Sequence, residues 1–205
     1  WRTTPKIAGY VVREMPEETT LIAALKTGEI QIGEVRVLRN VPDVQAAGLT
    51  ITKATLESQH DAIIFGGNLW EKTHAQTGAV LDRKGFLPDD DHPWIGDPDN
   101  PARMESAKKV RWAMALAIDR EAINKTILGG LGTVNPLPWF SKNNKELWED
   151  RWDVPYDPVK AKQLLSDAGY PNGFKTKVRL YDTKIYGPQE ISKAVAGMWR
   201  DTLGL

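Results

Sequence analysis

Between Val110 and Gly132 the chain reads VRWAMALAIDREAINKTILGGLG, which leaves room for little besides two consecutive helices packed into a core. Trp112 to Ile118 has no polar side chain, and basic residues precede it. Apolar on every side and short, this block reads as a buried helix. Asp119 then offers the side-chain oxygen that a new helix takes at its N-cap. Glu121 puts negative charge in the first turn, where the helix dipole favours it. Gly129 and Gly130 end the second helix, since glycine reaches the left-handed conformation of a C-terminal cap without strain.

The same grammar recurs along the chain. From Tyr156 to Tyr170 the sequence is YDPVKAKQLLSDAGY: Asp157 caps, Pro158 takes the first helical position and Gly169 closes. Ala161, Leu164, Leu165 and Ala168 form its apolar stripe. Ile191 to Leu203 is amphipathic, with Val195, Met198, Trp199 and Leu203 on related faces. Thr19 or Thr20 can cap LIAALKTG, which Gly28 ends. Val41 to Ala47 is a short helix with Pro42 and Asp43 in its first turn. Strands are expected at Lys6–Met15, Ile30–Val37, Leu49–Leu56, Asp61–Phe65 and Lys177–Tyr181 from alternating or continuous apolar residues. Gly66-Gly67-Asn68 lets the chain turn sharply after one of them. Helices interleaved with strands make the expected fold class α/β.

Composition narrows the function. Lys+Arg and Asp+Glu both number 27 in 205 residues, so there is no electrostatic case for nucleic acid or an anionic membrane surface. No cysteine is present, which removes thiol nucleophiles, disulfides and zinc–thiolate sites. No apolar run of about 18 residues could span a bilayer as a helix. The 8 tryptophans suit a core or a binding cleft.

Residues 71–103 are rich in Pro, Gly and Asp and read as loop. The run Asp89-Asp90-Asp91-His92, with Asp97 and Asp99, invites a cation. It lacks the order of a calcium loop and its distal Glu, so a solvated loop pinned by Trp94 is the better reading. His60, His74 and His92 lie near no G-x-S-x-G turn and read as loop or surface histidines. No G-x-G-x-x-G or Walker A loop occurs, and the Gly129–Gly132 cluster follows a helix instead of opening one. No catalytic residue, cofactor site or metal site is therefore assigned.

Several of these segments carry a resemblance. VRWAMALAIDREAI followed by GGLGTVNPLPW, ALKTGEI at Ala24–Ile30, and Tyr156–Phe174 (YDPVKAKQLLSDAGYPNGF) resemble the extracytoplasmic solute-binding proteins of the peptide/nickel type (family 5), receptor subunits of ABC importers. The matching positions in the first are Val110, Arg111, Ala113, Ala117, Ile118, Asp119, Arg120 and Ile123. The resemblance covers nearly the whole chain outside residues 71–103. It implies a fragment of a two-lobed periplasmic-binding-protein fold of type II, with 1–64 the tail of lobe one and 65–205 the opening part of lobe two. It also implies a non-catalytic protein, periplasmic or at the cell surface, that captures a small solute between its lobes and delivers it to a membrane permease. A short peptide is the commonest solute in that family; sugars and metal chelates are the alternatives.

Binding clefts in open α/β sheets lie beyond strand C-termini, which makes Asn68, Trp70, Tyr181, Lys184 and Tyr186 the candidate ligand residues. The 181–188 segment resembles a loop that carries a carboxylate-binding Arg in some peptide-binding members, and Lys184 falls near that position. The rival readings are an α/β enzyme domain of unidentified mechanism and an interaction module of a larger protein.

Overall fold

The computed structural model describes residues 6–52, 61–67, 71–82, 89, 91–137, 145–179 and 187–205. The chain divides into two compact units, Trp1–Lys53 and Ala54–Leu205.

The first unit is built on α1 (Glu18–Thr27) and α2 (Val41–Ala46). Ile22, Ala24 and Leu25 of α1 are buried, as are Val41 and Val44 of α2. Gly28 ends α1 in the left-handed conformation, φ 76°, as its position after Thr27 suggests. The start of α1 differs from expectation. Glu17 is the N-cap and makes no side-chain cap bond, and Thr19 and Thr20 lie inside the helix. Glu18 does the tying: its carboxylate accepts from the Val37 amide at 2.9 Å and from the Asn40 side-chain amide at 3.1 Å. A carboxylate bound to the neighbouring turn fixes the helix start upstream of the threonines.

The second unit holds α3 (Pro101–Leu116), α4 (Arg120–Ile127), α5 (Pro158–Asp167) and α6 (Pro188–Leu203). Helix α3 packs against α5, and α6 packs against both α5 and α4. Val110, Ala113, Met114 and Leu116 of α3 are buried with Ala161 and Leu165 of α5 and Val195, Trp199 and Leu203 of α6. Alanines at 107, 113 and 161, all 0% exposed, keep the side chains short where the helices meet. The Trp199 indole N–H donates to the Met114 carbonyl at 2.8 Å, fully buried, across 85 residues of sequence. The Asp157 amide donates to the Leu116 carbonyl at 2.9 Å, and the Ser106 hydroxyl to the Ala168 carbonyl at 2.9 Å. These bonds satisfy carbonyls that helix ends leave without intrahelical partners.

Helix α3 is longer than the apolar block suggested. It starts at Pro101, and the Asn100 side chain accepts from the Arg103 amide at 3.1 Å, an N-cap followed by Pro at the first helical position. Trp112 is 41% exposed and not buried, because a helix of this length has an outward face and residue 112 lies on it. Asp119 and Asp157 cap as read: their carboxylates accept from the Ala122 and Lys160 amides, each at 2.9 Å. Gly129 and Gly130 adopt φ 61° and 75°. The Asn124 side chain then brackets the Gly-rich turn, donating to the Gly132 carbonyl at 3.1 Å and accepting from its amide at 2.9 Å.

The expected strands are not seen among the described residues. Among the described residues no strand ladder forms; the single bridge joins Thr73 to Val80. The described parts of 6–15, 30–37, 49–56, 61–65 and 177–181 are irregular. In the first of these Tyr10, Val11 and Val12 are more than four-fifths exposed, at 88%, 85% and 82%. Alternation selects the face of a strand, but the ladder also needs a neighbour for each N–H and C=O. Among the described residues these segments form no ladder with one another, so the described chain is helical and the β half of the α/β expectation is not shown. No helix among the described residues is long and apolar enough to cross a membrane.

Two stability tests follow from the packing. Asp157→Ala lowers stability by about 1 kcal/mol through loss of the cap, and Gly169→Val by about 1–2 kcal/mol or more, since residue 169 is left-handed at φ 96°. Trp199→Phe keeps a ring in the core but strands the buried Met114 carbonyl, at a cost of about 1–3 kcal/mol. Urea midpoints measure all three, and an unchanged midpoint for Trp199→Phe counts against the helix packing.

Candidate functional site

The candidate ligand residues Asn68, Trp70, Tyr181, Lys184 and Tyr186 all lie outside the described residues. The segments that lead to them in the chain are described.

Ile63 and Phe65 pack against the helical core of the second unit. The Trp94 indole N–H donates to the Gly66 carbonyl at 2.9 Å, and the rings of Phe65 and Trp94 lie 6.3 Å apart. Ile95, 1% exposed, presses on Gly67: a Cβ there would sit 2.4 Å from the Ile95 Cδ1, and φ is 94°. Only glycine fits such a place. Trp94 is itself held from α3, because Arg111 Nη1 donates to its carbonyl. The loop read as pinned by Trp94 is pinned in this way, with Pro93, Ile95 and Gly96 buried beside it.

The second flank begins at Gly173. A Cβ there would meet the carbonyl oxygens of Gly204 and Leu203 at 2.4 and 2.6 Å, so the turn after α5 rests directly on the end of α6. Phe174 follows, its ring 5.5 Å from Tyr170 and 6.3 Å from Trp94. Val178 packs against the core. Thr176, Val178, Ser192, Lys193, Ala196, Trp199 and Leu205 line a groove of ≈ 250 Å³. At the far end of the undescribed residues 180–186 the chain returns at Gly187, whose amide donates to the Glu190 carboxylate at 3.0 Å. Gly187 has φ 122°, and its amide bond to Glu190 is the half of a capping box that needs no N-cap side chain.

The VRWAMALAIDREAI motif is scaffold. Val110, Ala113, Ala117, Ile118 and Ile123 are buried, and Asp119 is a cap. Arg120 Nη1 donates to the Ala115, Ile118 and Val154 carbonyls at 3.1, 3.4 and 3.5 Å, joining the end of α3 to the segment before α5. Burial holds the pKa of Arg120 and of Arg111 below the ordinary guanidinium value. Both point their charge at backbone carbonyls.

The described histidines also serve turns. His74 Nδ1 accepts from the Gln76 and Thr77 amides at 3.2 and 3.3 Å. His92 Nδ1 lies 2.7 Å from the Asp89 carboxylate, which also accepts from the His92 amide at 2.7 Å. Slight burial raises the Asp89 pKa, but the hydrogen bonds and charge from His92 outweigh it and the carboxyl sits below its ordinary value. Among the described residues no three His, Cys, Asp or Glu side chains come together as a metal site. Sequence reasoning missed how much Pro93–Gly96 does. Its one signal was Trp94, an aromatic amid acidic residues.

The model of bacterial extracellular solute-binding proteins, family 5 Middle, matches residues 1–205. The glutathione-binding protein GsiB of Pectobacterium atrosepticum is 40% identical over 172 residues, 84% of this chain and 27% of that protein. Heme-binding protein A of Haemophilus influenzae is 48% identical over 73 residues, 33% of this chain and 12% of the relative. GsiB of Escherichia coli K12 is 44% identical over 73 residues, 33% of this chain and 13% of its own length. The chain thus spans about a quarter or less of the curated relatives it matches. No solved structure matches it. The capped helices, the scaffold motif and the match over every residue have one conclusion: the chain belongs to the bacterial extracellular solute-binding proteins of family 5.

Proposed function

We propose that this chain is part of the solute-binding component of an ABC importer, working outside the cytoplasm and passing its solute to a membrane permease. The family match over residues 1–205 carries this reading. The protein acts by recognition and not by catalysis: two lobes of a type II fold close on the solute by hinge motion. Residues 1–64 belong to the first lobe and 65–205 to the second.

The solute class we propose is a short peptide with a free carboxylate. The relative aligned over 84% of this chain is named for glutathione, itself a small peptide bearing carboxylates. Asn68, Trp70, Tyr181 and Tyr186 supply polar contacts and aromatic faces, and Lys184 meets the carboxylate. A lysine offers a point charge in place of a bidentate fork, so carboxylate recognition is geometrically less strict. Heme is the second reading, because heme-binding protein A aligns at 48% identity over 73 residues.

Calorimetric titration of the full-length gene product with glutathione, trialanine and heme separates these readings. Binding of either peptide supports the first, and heme alone supports the second. Lys184→Ala weakens peptide binding by about 1.5–3 kcal/mol, the range for a hydrogen bond to a charged group. Unchanged affinity removes Lys184 from the site and leaves the aromatics. Hydrolysis of either peptide would favour an enzyme.

A further inference from the structure

We propose that Asn172 is a site of spontaneous covalent modification: its side-chain amide is lost by deamidation through the following glycine, and the seat of this turn on the end of α6 sets the rate.

The sequence supplies the chemistry. Asn172-Gly173 closes the YDPVKAKQLLSDAGYPNGF motif in the turn after α5, and the solute-binding reading makes no use of it. Asparagine is among the thermally labile residues. The Gly173 amide nitrogen, once deprotonated, attacks the Asn172 Cγ. The Cγ–Nδ2 bond breaks and ammonia leaves. A cyclic imide remains, and solvent water opens it at one carbonyl or the other. One opening gives aspartate. The other gives isoaspartate, whose main chain runs through the former Cβ and Cγ. Glycine favours the step, because no Cβ crowds the attacking nitrogen. Asn172 is exposed, so water reaches it.

The structure supplies the brake. The Gly173 amide donates to the Tyr170 carbonyl at 3.1 Å, so the proton that must leave is held in a hydrogen bond. Gly173 has φ 76°, and a Cβ there would collide with the Gly204 and Leu203 carbonyls. From the other side, a Cβ on Gly204 would stand 3.1 Å from the Asn172 carbonyl oxygen and 3.5 Å from its carbon. Main chain thus packs on main chain, with no space for the 172–173 peptide to swing towards the Asn172 side chain. Gly204 is fixed as the left-handed cap of α6, its amide bonded to the Arg200 carbonyl at 3.1 Å. Trp199 and Leu203 beneath it are buried. The imide forms only when this end of α6 lifts, and its rate follows the open population. Isoaspartate does not regain the seat, because its main chain is one atom longer where the contact leaves no room. Each such event is a permanent loss of the contact between the α5 turn and α6.

The test incubates the full-length gene product in mildly alkaline buffer, native and in guanidinium chloride. Trypsin releases residues 163–175, in which Asn172 is the only asparagine, and mass spectrometry reads the conversion of amide to acid. Conversion is expected to be at least about tenfold slower in the native protein, since one hydrogen bond to the amide is worth up to about that factor alone. Gly204→Ala leaves the Asn172-Gly173 pair intact but places a Cβ at positive φ against the Asn172 carbonyl. It is expected to raise the native rate at least about threefold. Asp119→Ala lowers the denaturation midpoint through another helix end and leaves the native rate unchanged. Equal rates in native protein and denaturant overturn the proposal, as does no conversion in denaturant. A native rate unchanged by Gly204→Ala, or raised as much by Asp119→Ala, removes the α6 seat as the brake and overturns it too. If Gly204→Ala does not fold, hydrogen exchange of the wild-type Gly173 amide decides: protection supports the brake, and exchange as fast as in denaturant overturns it.

Discussion

A buried hydrogen bond between residues far apart in sequence closes the second unit. The Trp199 indole donates to the Met114 carbonyl, and that carbonyl lies in the last turn of α3, where helix carbonyls run out of partners. Water cannot reach it, so the partner must come from protein. Trp199 supplies it and also fills the space between helices, which sets how α6 lies on α3. The neighbouring Leu116 carbonyl is satisfied from the start of α5 by the Asp157 amide. The end of one helix is thus the point to which two others are fastened. The alanines at 113 and 161, fully buried, permit the approach that these bonds require.

The residues that make this chain resemble its family are largely those that hold this junction. Arg120 spans three carbonyls at the α3–α4 corner and before α5. Asp119 caps α4, Asp157 caps α5, and Gly173 is pressed against the end of α6. Each position needs one residue type for a backbone reason: a charge for buried carbonyls, an oxygen for free amides, no Cβ at a close approach. None of these needs involves the identity of a solute. Family membership is therefore legible in the scaffold.

The chain around Trp94 is held differently. Residues 65–67 and 174 meet at Trp94, in a stretch whose acidic, Pro-rich composition resembles a solvated loop. The burial of Pro93, Ile95 and Gly96 shows a small apolar knot inside it. Composition averages over the stretch and conceals the knot, because four residues decide the packing while Asp89, Asp91 and Asp99 are exposed.

Local rules alone determined the capped helices. Asp119, Asp157, Gly28, Gly129, Gly130 and Gly169 act where their chemistry places them, because a cap bonds within a few residues of itself and needs no distant partner. The apolar stripes of α5 and α6 are legible for the same reason, since helical period and face are local. Tertiary structure decided whatever depends on a second segment. It set the true start of α1, where Glu18 binds the 36–40 turn, and the exposure of Trp112. It left the alternating segments without a strand ladder among the described residues, because a strand is completed only by its neighbour. It joined Trp94 to Gly66 and Phe174, a contact between residues 28 and 80 positions apart that no periodicity records.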